Sequence, residues 1–422
     1  MHTISLFSVA GRTPARLRLL TAACLLSLAA CGGGGGGASA PAPVAAPVTP
    51  PAVTPAGDAG LSTAGLLGEK IFKDVSLSAS GKQSCATCHD PAHAHGPAND
   101  LAVQLGGVNG DVQGFRAPPS LRYLTLNPAF FFDKDGTPTG GFDRDGRAKT
   151  LAEQGERPFL SAHEMANASK QEVVDHLKRA AYAEQFRTQF GAAIFDDAEL
   201  AFGRIAFALQ KYQQEAAEFH PFDSRYDQFL AGKTTLAAAE MRGLALFNDP
   251  NKGNCIGCHT SARGADGSAP LFTDFTFDNL GLPRNMRLGV NANPDFFDLG
   301  LCGPDRTDLS ERADLCGAFK VPTLRNVATR QSFFHNGAFN NLKDALGFYV
   351  RRDTNPEEWY PKDANGVVQK FNDLPAQYRK NVNVTEVPYN RLPGMAPALS
   401  PSEIEDVISF LGTLSDSDQT NH

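Results

Sequence analysis

The sequence predicts a mainly α protein built from two similar small helical units with long loops, on three observations. Apolar residues recur at helical spacing over 169–191 and 198–217, as in Val173, Leu177, Ala181 and Phe186, then Leu200, Ile205, Leu209 and Tyr212. A Cys-X-X-Cys-His run occurs in each half of the chain, from Cys85 to His89 and from Cys255 to His259. Each run follows a Gly-x-x-x-Phe element, Gly68/Phe72 and Gly243/Phe247, which reads as a duplicated unit.

The runs carry specific chemistry. Two thiols on one helical turn can form thioethers to the vinyl groups of a c-type haem, and the following His reaches the iron. The fold class is therefore mainly α with two cytochrome-c-like haem domains and long loops. It carries two covalently bound haem c groups, attached through Cys85, Cys88, Cys255 and Cys258 and ligated by His89 and His259. Zinc is the nearest chemical rival for four cysteines, but the two runs lie much too far apart for a zinc ribbon.

Taken in order, the chain begins with a cationic stretch bearing Arg12, Arg16 and Arg18, an apolar run from Leu19 to Ala30, and Leu28-Ala29-Ala30-Cys31. This reads as a lipoprotein signal over residues 1–30, with Cys31 the lipidation site. The apolar run is too short to span a bilayer, so the expected contact with membrane is through the lipid anchor only. The expected location is the periplasm, on the outer rather than the inner membrane. An ordinary secretory signal would instead leave a soluble periplasmic protein. Residues 31–60, rich in Gly, Ala and Pro, form a tether.

The first haem domain is expected over 61–232, with a helix at Leu66–Phe72 leading into its motif, and the second over 233–422. The segment 220–235 reads as an irregular boundary. Residues 262–330, rich in Gly, Pro, Asn and Asp, read as long loops with short strands or turns at most. Ser400-Pro401-Ser402-Glu403 is a capping box that opens a helix through Leu414. Cys302 and Cys316 remain after the signal, lipid and haem cysteines. In an oxidising compartment they most simply form a disulfide, closing a polar loop with an entropy effect of about 3 kcal/mol, the alternative being two free thiols. Lys and Arg number 39 against 46 Asp and Glu, a net charge of −7, and no basic run points to nucleic acid.

The order of further motifs adds to this. Asp145-Gly146-Arg147, then Gln154 and Glu164, lie between the haem motifs; Phe319-Lys320-Val321-Pro322-Thr323-Leu324-Arg325-Asn326 and Phe334-His335-Asn336-Gly337 follow them. From about residue 61 to 414 the chain resembles the bacterial di-haem cytochrome c peroxidase/MauG family. The resemblance implies an enzyme in which the first haem is peroxidatic, with Gln154 and Glu164 on its distal side and Glu164 the acid/base that moves a proton between the peroxide oxygens. Read from the residues alone, Ser161 to Glu164 is a capping box that would make Glu164 a helix N-terminal carboxylate. His163 beside it reads as a surface or propionate-contacting group that could lend a proton.

The resemblance also places the distal ligand of the second haem fourteen positions beyond His335, at Tyr349, where peroxidases of the family carry Met and MauG carries Tyr. A phenolate there would lower the haem potential; the alternative is an aromatic packed on a helix with Leu342, Leu346 and Phe348. His335 is expected to touch the haem or its propionates.

Several positions depart from the family. The resting ligand of the first haem would fall at Leu105, which cannot bind iron, and His93 and His95 read as loop or propionate contacts. The Trp that commonly precedes Asp-Gly-Arg is Arg144 here, and the chain's one Trp, Trp359, reads as part of a polar loop. The Asn used for a structural calcium is Ala117, leaving one calcium ion possible through carbonyls and water. The expected function is reduction of hydrogen peroxide with electrons relayed through the second haem from a small c-type cytochrome or copper protein. The alternatives are MauG-like oxidation of a protein substrate and a pure electron carrier.

Overall fold

The computed structural model describes residues 60–419; the signal, Cys31 and all but the last residue of the tether lie outside them. Helix α1 (Thr63–Lys73) begins where the Ser62 hydroxyl accepts from the Gly65 amide, an N-cap that satisfies one of the first-turn donors. Its apolar face packs on α6 (Ala198–Glu215), itself capped by Asp197. The helices meet at Gly68, where a Cβ would stand 2.0 Å from the Ala208 carbonyl oxygen. One turn later Phe72 is buried among Tyr212, Phe219 and His95.

The second half repeats the device. In α8 (Ala238–Asn248) a Cβ on Gly243 would stand 2.0 Å from the Asp406 carbonyl oxygen of α10 (Pro401–Gly412), and Phe247 is buried against Phe272 and Phe410. Each Gly-x-x-x-Phe element thus works twice. The glycine lets two backbones touch, and the phenylalanine anchors the crossing with roughly 1.5–3 kcal/mol of apolar burial.

Around these crossings lie two hydrophobic clusters. The first gathers α1, α3 (Leu151–Leu160), α4 (Lys170–Arg179), α5 (Ala183–Phe190) and α6 through Ile71, Phe159, Leu177, Phe186 and Leu209. The second gathers α8, α9 (Leu342–Arg351) and α10 through Phe247, Leu346, Val407 and Phe410. The segment 220–235, expected to be irregular, carries α7 (Arg225–Leu230), opened by a Ser224/Asp227 capping box, and its Tyr226 joins the second cluster. The absence of an apolar repeat in six residues hid this helix from the sequence.

Among the described residues, strands are confined to three antiparallel two-residue pairs: β1 (Leu105–Gly106) with β2 (Val112–Gln113), β3 (Phe131–Phe132) with β4 (Pro138–Thr139), and β5 (Phe277–Asp278) with β6 (Phe319–Lys320). The last pair lies within the loop-rich region 262–330, where Cys302 and Cys316 form a disulfide. The capping box at Ser400 opens α10, with the Glu403 amide donating to Ser400 Oγ. Among the described residues no helix is long and apolar enough to cross a membrane.

The halves are tied by buried polar groups. Asp416 accepts from Arg122 Nη1 at 2.8 Å, from Asn326 Nδ2 at 2.6 Å and from the Tyr123 hydroxyl. Arg325 forks onto Asp227 with both distances 2.8 Å, a geometry that only a planar guanidinium supplies.

Candidate haem sites and the cavity between them

The first motif is the short helix α2 (Cys85–Cys88). Ser84 and Thr87 form its capping box, which sets the two thiols one turn apart. The chain then leaves the helix so that the His89 amide donates to the Cys85 carbonyl at 2.9 Å, while His89 Nδ1 lies 3.2 Å from the His95 carbonyl oxygen. The second motif is a 3₁₀ turn, Cys255–Gly257, preceded by Asn254 at φ 49°, a conformation Asn tolerates better than most residues. His259 repeats the geometry, its amide donating to Cys255 and its Nδ1 lying 2.8 Å from the Phe272 carbonyl oxygen.

With Nδ1 committed as donor to a carbonyl, each ring leaves Nε2 as its lone-pair donor, the arrangement a metal-ligating histidine needs. Burial keeps both rings neutral, pushing His89 down to about 4 and His259 in the same direction. Burial also holds the thiols protonated, at about 12 for Cys85, Cys255 and Cys258 and about 11 for Cys88. Among the described residues no group of three or more His, Cys, Asp or Glu is arranged to hold a metal ion, so nothing there gathers the cysteines as a zinc site would. The donor set fits c-type haem.

A cavity of about 680 Å³ opens over the second motif. Cys255, Cys258 and His259 lie on its wall, and so do Tyr349 and Tyr389, whose rings are 6.0 Å apart. Burial pushes the Tyr349 phenol well above its usual range, with Cys258 and Asp278 adding to the effect. A phenolate at this place therefore requires a cation to face it, and a ferric iron would supply that charge. Tyr349 is on α9, with Leu346 and Phe348, as the packing alternative also anticipated. Tyr389 had no signal in the sequence, because its loop shows neither motif nor period.

Gln154, on α3, lines the same cavity together with Asp143, Arg144 and Arg330. Glu164 does not. It lies in the turn after α3, where Ser161 ends that helix and no new one starts, so it is not a helix-capping carboxylate. The Glu164 amide donates to the Ser161 carbonyl, and its own carbonyl accepts from Gly107 at 2.8 Å. Its side chain is exposed at the surface of the site, although protein atoms crowd around the carboxyl. Its charge acts on Cys85 and Cys88, which sets it facing the first motif. Burial raises its pKa, against the pull of a hydrogen bond from Ser161, and the Asp143 carboxylate pushes the same way as burial. Asp143, at φ 64° and itself raised by burial, escaped the sequence reading.

Three expectations take a more specific form in the structure. His95 is no loop or propionate contact: positive φ at Ala94 and His95 turns the chain inward, and the imidazole is buried against Phe219, ring centroids 4.1 Å apart. Its carbonyl is the group that orients His89. Trp359 lies in the expected polar loop, in the turn after Pro356–Glu358, but its ring packs edge-on against Phe339 and Phe348 with Arg351 above it. Near the segment where calcium is expected through carbonyls and water, Arg116 bonds Asp298 through Nε and Nη2 and Asp145 through Nη1, and Arg147 also bonds Asp145. His93 pairs with Asp90, His163 packs edge-on against Phe115, and His335 stacks on Phe319 at the cavity wall. Leu105 is exposed in β1.

Comparison with known proteins agrees. A family model described as di-haem cytochrome c peroxidase matches residues 63–235. Methylamine utilization protein MauG of Paracoccus denitrificans is 34% identical over 364 residues, covering 83% of this chain and 88% of its own length. Cytochrome c551 peroxidase of Pseudomonas aeruginosa is 28% identical over 310 residues, covering 73% and 77%. Among solved structures, the diheme peroxidase BthA from Burkholderia thailandensis has a TM-score of 0.78 and 38% identity over 84% of this chain and 86% of its own. Fold and paired motifs define a haem oxidoreductase with two c-type haems. The chain belongs to the di-haem cytochrome c peroxidase/MauG family.

Proposed function

We propose that the protein reduces hydrogen peroxide to water at the N-terminal haem, residues 61–232 forming the peroxidatic domain and 233–422 the electron-transfer domain. The observation that carries this is Glu164, a carboxyl of raised pKa whose charge reaches Cys85 and Cys88. When bound, haem would supply the redox-active iron, and His89 would hold it in the first site, His259 and Tyr349 in the second. The protein moves the protons. Glu164 takes one from the nearer peroxide oxygen and returns it to the leaving oxygen, so that one peroxide, two electrons and two protons give two waters. Gln154 is given the orienting role by the family resemblance, although it lines the cavity that opens over the second motif. The electrons come through the second haem from a small c-type cytochrome or copper protein in the periplasm, where a lipid on Cys31 would hold the chain at the outer membrane.

A second reading is MauG-like oxidation of a protein side chain, supported by Tyr349 at the second site and by the likeness to MauG itself. Steady-state peroxide consumption with a reduced small c-type cytochrome separates the two. Brisk turnover supports the peroxidase. Haem-replete enzyme that reacts with peroxide but leaves the cytochrome reduced would turn the assignment to protein oxidation, and indifference to peroxide would leave a carrier.

A further inference from the structure

Among the described residues, arginines turned into the interior are held in two ways. Arg116, Arg122, Arg325 and Arg352 each meet at least one carboxylate at 2.5–2.8 Å. Arg144 and Arg330 form no ion pair among the described residues. Arg144 Nε donates to the Ala117 carbonyl at 2.7 Å, and Arg330 Nη2 donates to the Pro118 carbonyl at 2.8 Å. Successive carbonyls of one loop therefore hold the two guanidiniums as neighbours, and both side chains line the cavity of the second motif. Arg330 also acts electrostatically on His89 of the first motif. The arginines thus stand between the two haem sites.

Two like charges buried side by side are costly, because each loses hydration and gains only repulsion. The cost shows in their titration. Burial, then Arg330, pushes Arg144 down to about 9, and burial brings Arg330 to about 10. Asp143, nearest in sequence, is turned to Arg147 and Arg157 instead. An arrangement of this kind is stable when an anion arrives with the ligand. A guanidinium presents parallel N–H groups that match a carboxylate, and the ligand expected against Cys255, Cys258 and His259 carries carboxylates as its propionates.

We propose that Arg144 and Arg330 form a carboxylate clamp between the two sites, binding haem propionates and holding the haem potentials up by their positive charge. Arg144 stands where the family commonly carries Trp, so the clamp would give this chain an electrostatic coupling where an aromatic bridge is absent. The inference rests on the two-haem reading.

The test uses the purified holoprotein and its Arg144→Gln, Arg330→Gln, Arg144→Lys and Arg330→Lys variants. Haem content is measured by pyridine haemochrome and each midpoint potential by spectroelectrochemical titration. Removing a nearby positive charge favours ferric iron, so both Gln variants should keep two haems and shift at least one midpoint to lower potential, while the Lys variants keep most of the native value. Haem-replete Gln variants with unshifted midpoints would overturn the clamp; if a Gln variant fails to fold, a Lys variant that loses the native midpoint as fully as a neutral residue overturns it too. A shift of the native midpoints on adding acetate or phosphate would show that a free anion fills the site and would overturn the propionate assignment. Chain purified without haem would sink the two-haem reading instead.

Discussion

Arg116 and Asp298 meet in a fork, Nε and Nη2 of the arginine each 2.7 Å from a carboxylate oxygen, while Nη1 reaches Asp145. The cation between these acids is therefore part of the chain. A chelator such as EGTA should leave the melting temperature unchanged, whereas Arg116→Leu should destabilise the fold by about 3–5 kcal/mol, because it strands buried carboxylates. Chelator-induced unfolding measured by circular dichroism would contradict this.

The same network fixes a pH dependence. Burial opposes ionisation of Asp145, but Arg116 and Arg147 outweigh it and hold its carboxyl below the usual range; Arg325 does the same for Asp227. A depressed carboxyl contributes stability that is complete above its unfolded pKa, about 3.9, and is lost as pH falls through the lower folded value. Thermal melts of the holoprotein should therefore show these contributions intact at pH 6 and declining only below about pH 4. Asp227→Asn should flatten that acid limb; a limb that is unmoved would remove Asp227 from its origin.

Gly68→Ala and Gly243→Ala test the two helix crossings separately. Each new methyl meets a backbone carbonyl that cannot rotate away, 2.0 Å from the Cβ position. Overpacking of this kind costs about 1–3 kcal/mol or more, so each variant should melt several degrees lower. A native melting temperature in either would mean that the helices are spaced more widely than described.

Glu164→Gln should lower peroxide turnover by at least a hundredfold with both haems still attached. In the native protein the raised pKa means that Glu164 takes up its proton as pH falls at values above the ordinary carboxylate range. Activity that depends on its ionised form should decline there, and the limb should vanish in the variant's residual rate. Retained turnover would transfer the acid/base role elsewhere, Asp143 being the next carboxyl to examine.

Tyr349→Phe should alter the absorption and electron paramagnetic resonance of the second haem and leave the first unchanged. Tyr389→Phe is the control for packing beside it. If the ligand spectrum persists in Tyr349→Phe and disappears in Tyr389→Phe, the ligand has been assigned to the wrong member of the pair.

How far the sequence could be read follows from range. The Cys-X-X-Cys-His runs and the Gly-x-x-x-Phe elements are local patterns that the fold keeps, and 198–217 is essentially one helix, whereas the periodic stretch 169–191 divides at Ala180 into α4 and α5. Glu164 could be marked through the family resemblance, but its backbone is held by loop 105–113 packing against residues 163 and 164. His95, Arg330 and Tyr389 carry no such mark. Their roles arise when a positive-φ turn, a loop carbonyl or a distant helix places them, and single-chain spacing holds no record of that.

Asp416 ties Tyr123 and Arg122, nearly three hundred residues upstream, to Asn326. Contacts of such span close late, because the loop entropy must first be overcome. The N-terminal cluster can assemble around α1 and α6 before that knot forms, leaving the motif cysteines approachable while the chain is young. Maturation then has a natural order, with covalent attachment first and locking of residues 416–418 last, and a variant lacking those residues should acquire its prosthetic groups yet remain sensitive to proteolysis.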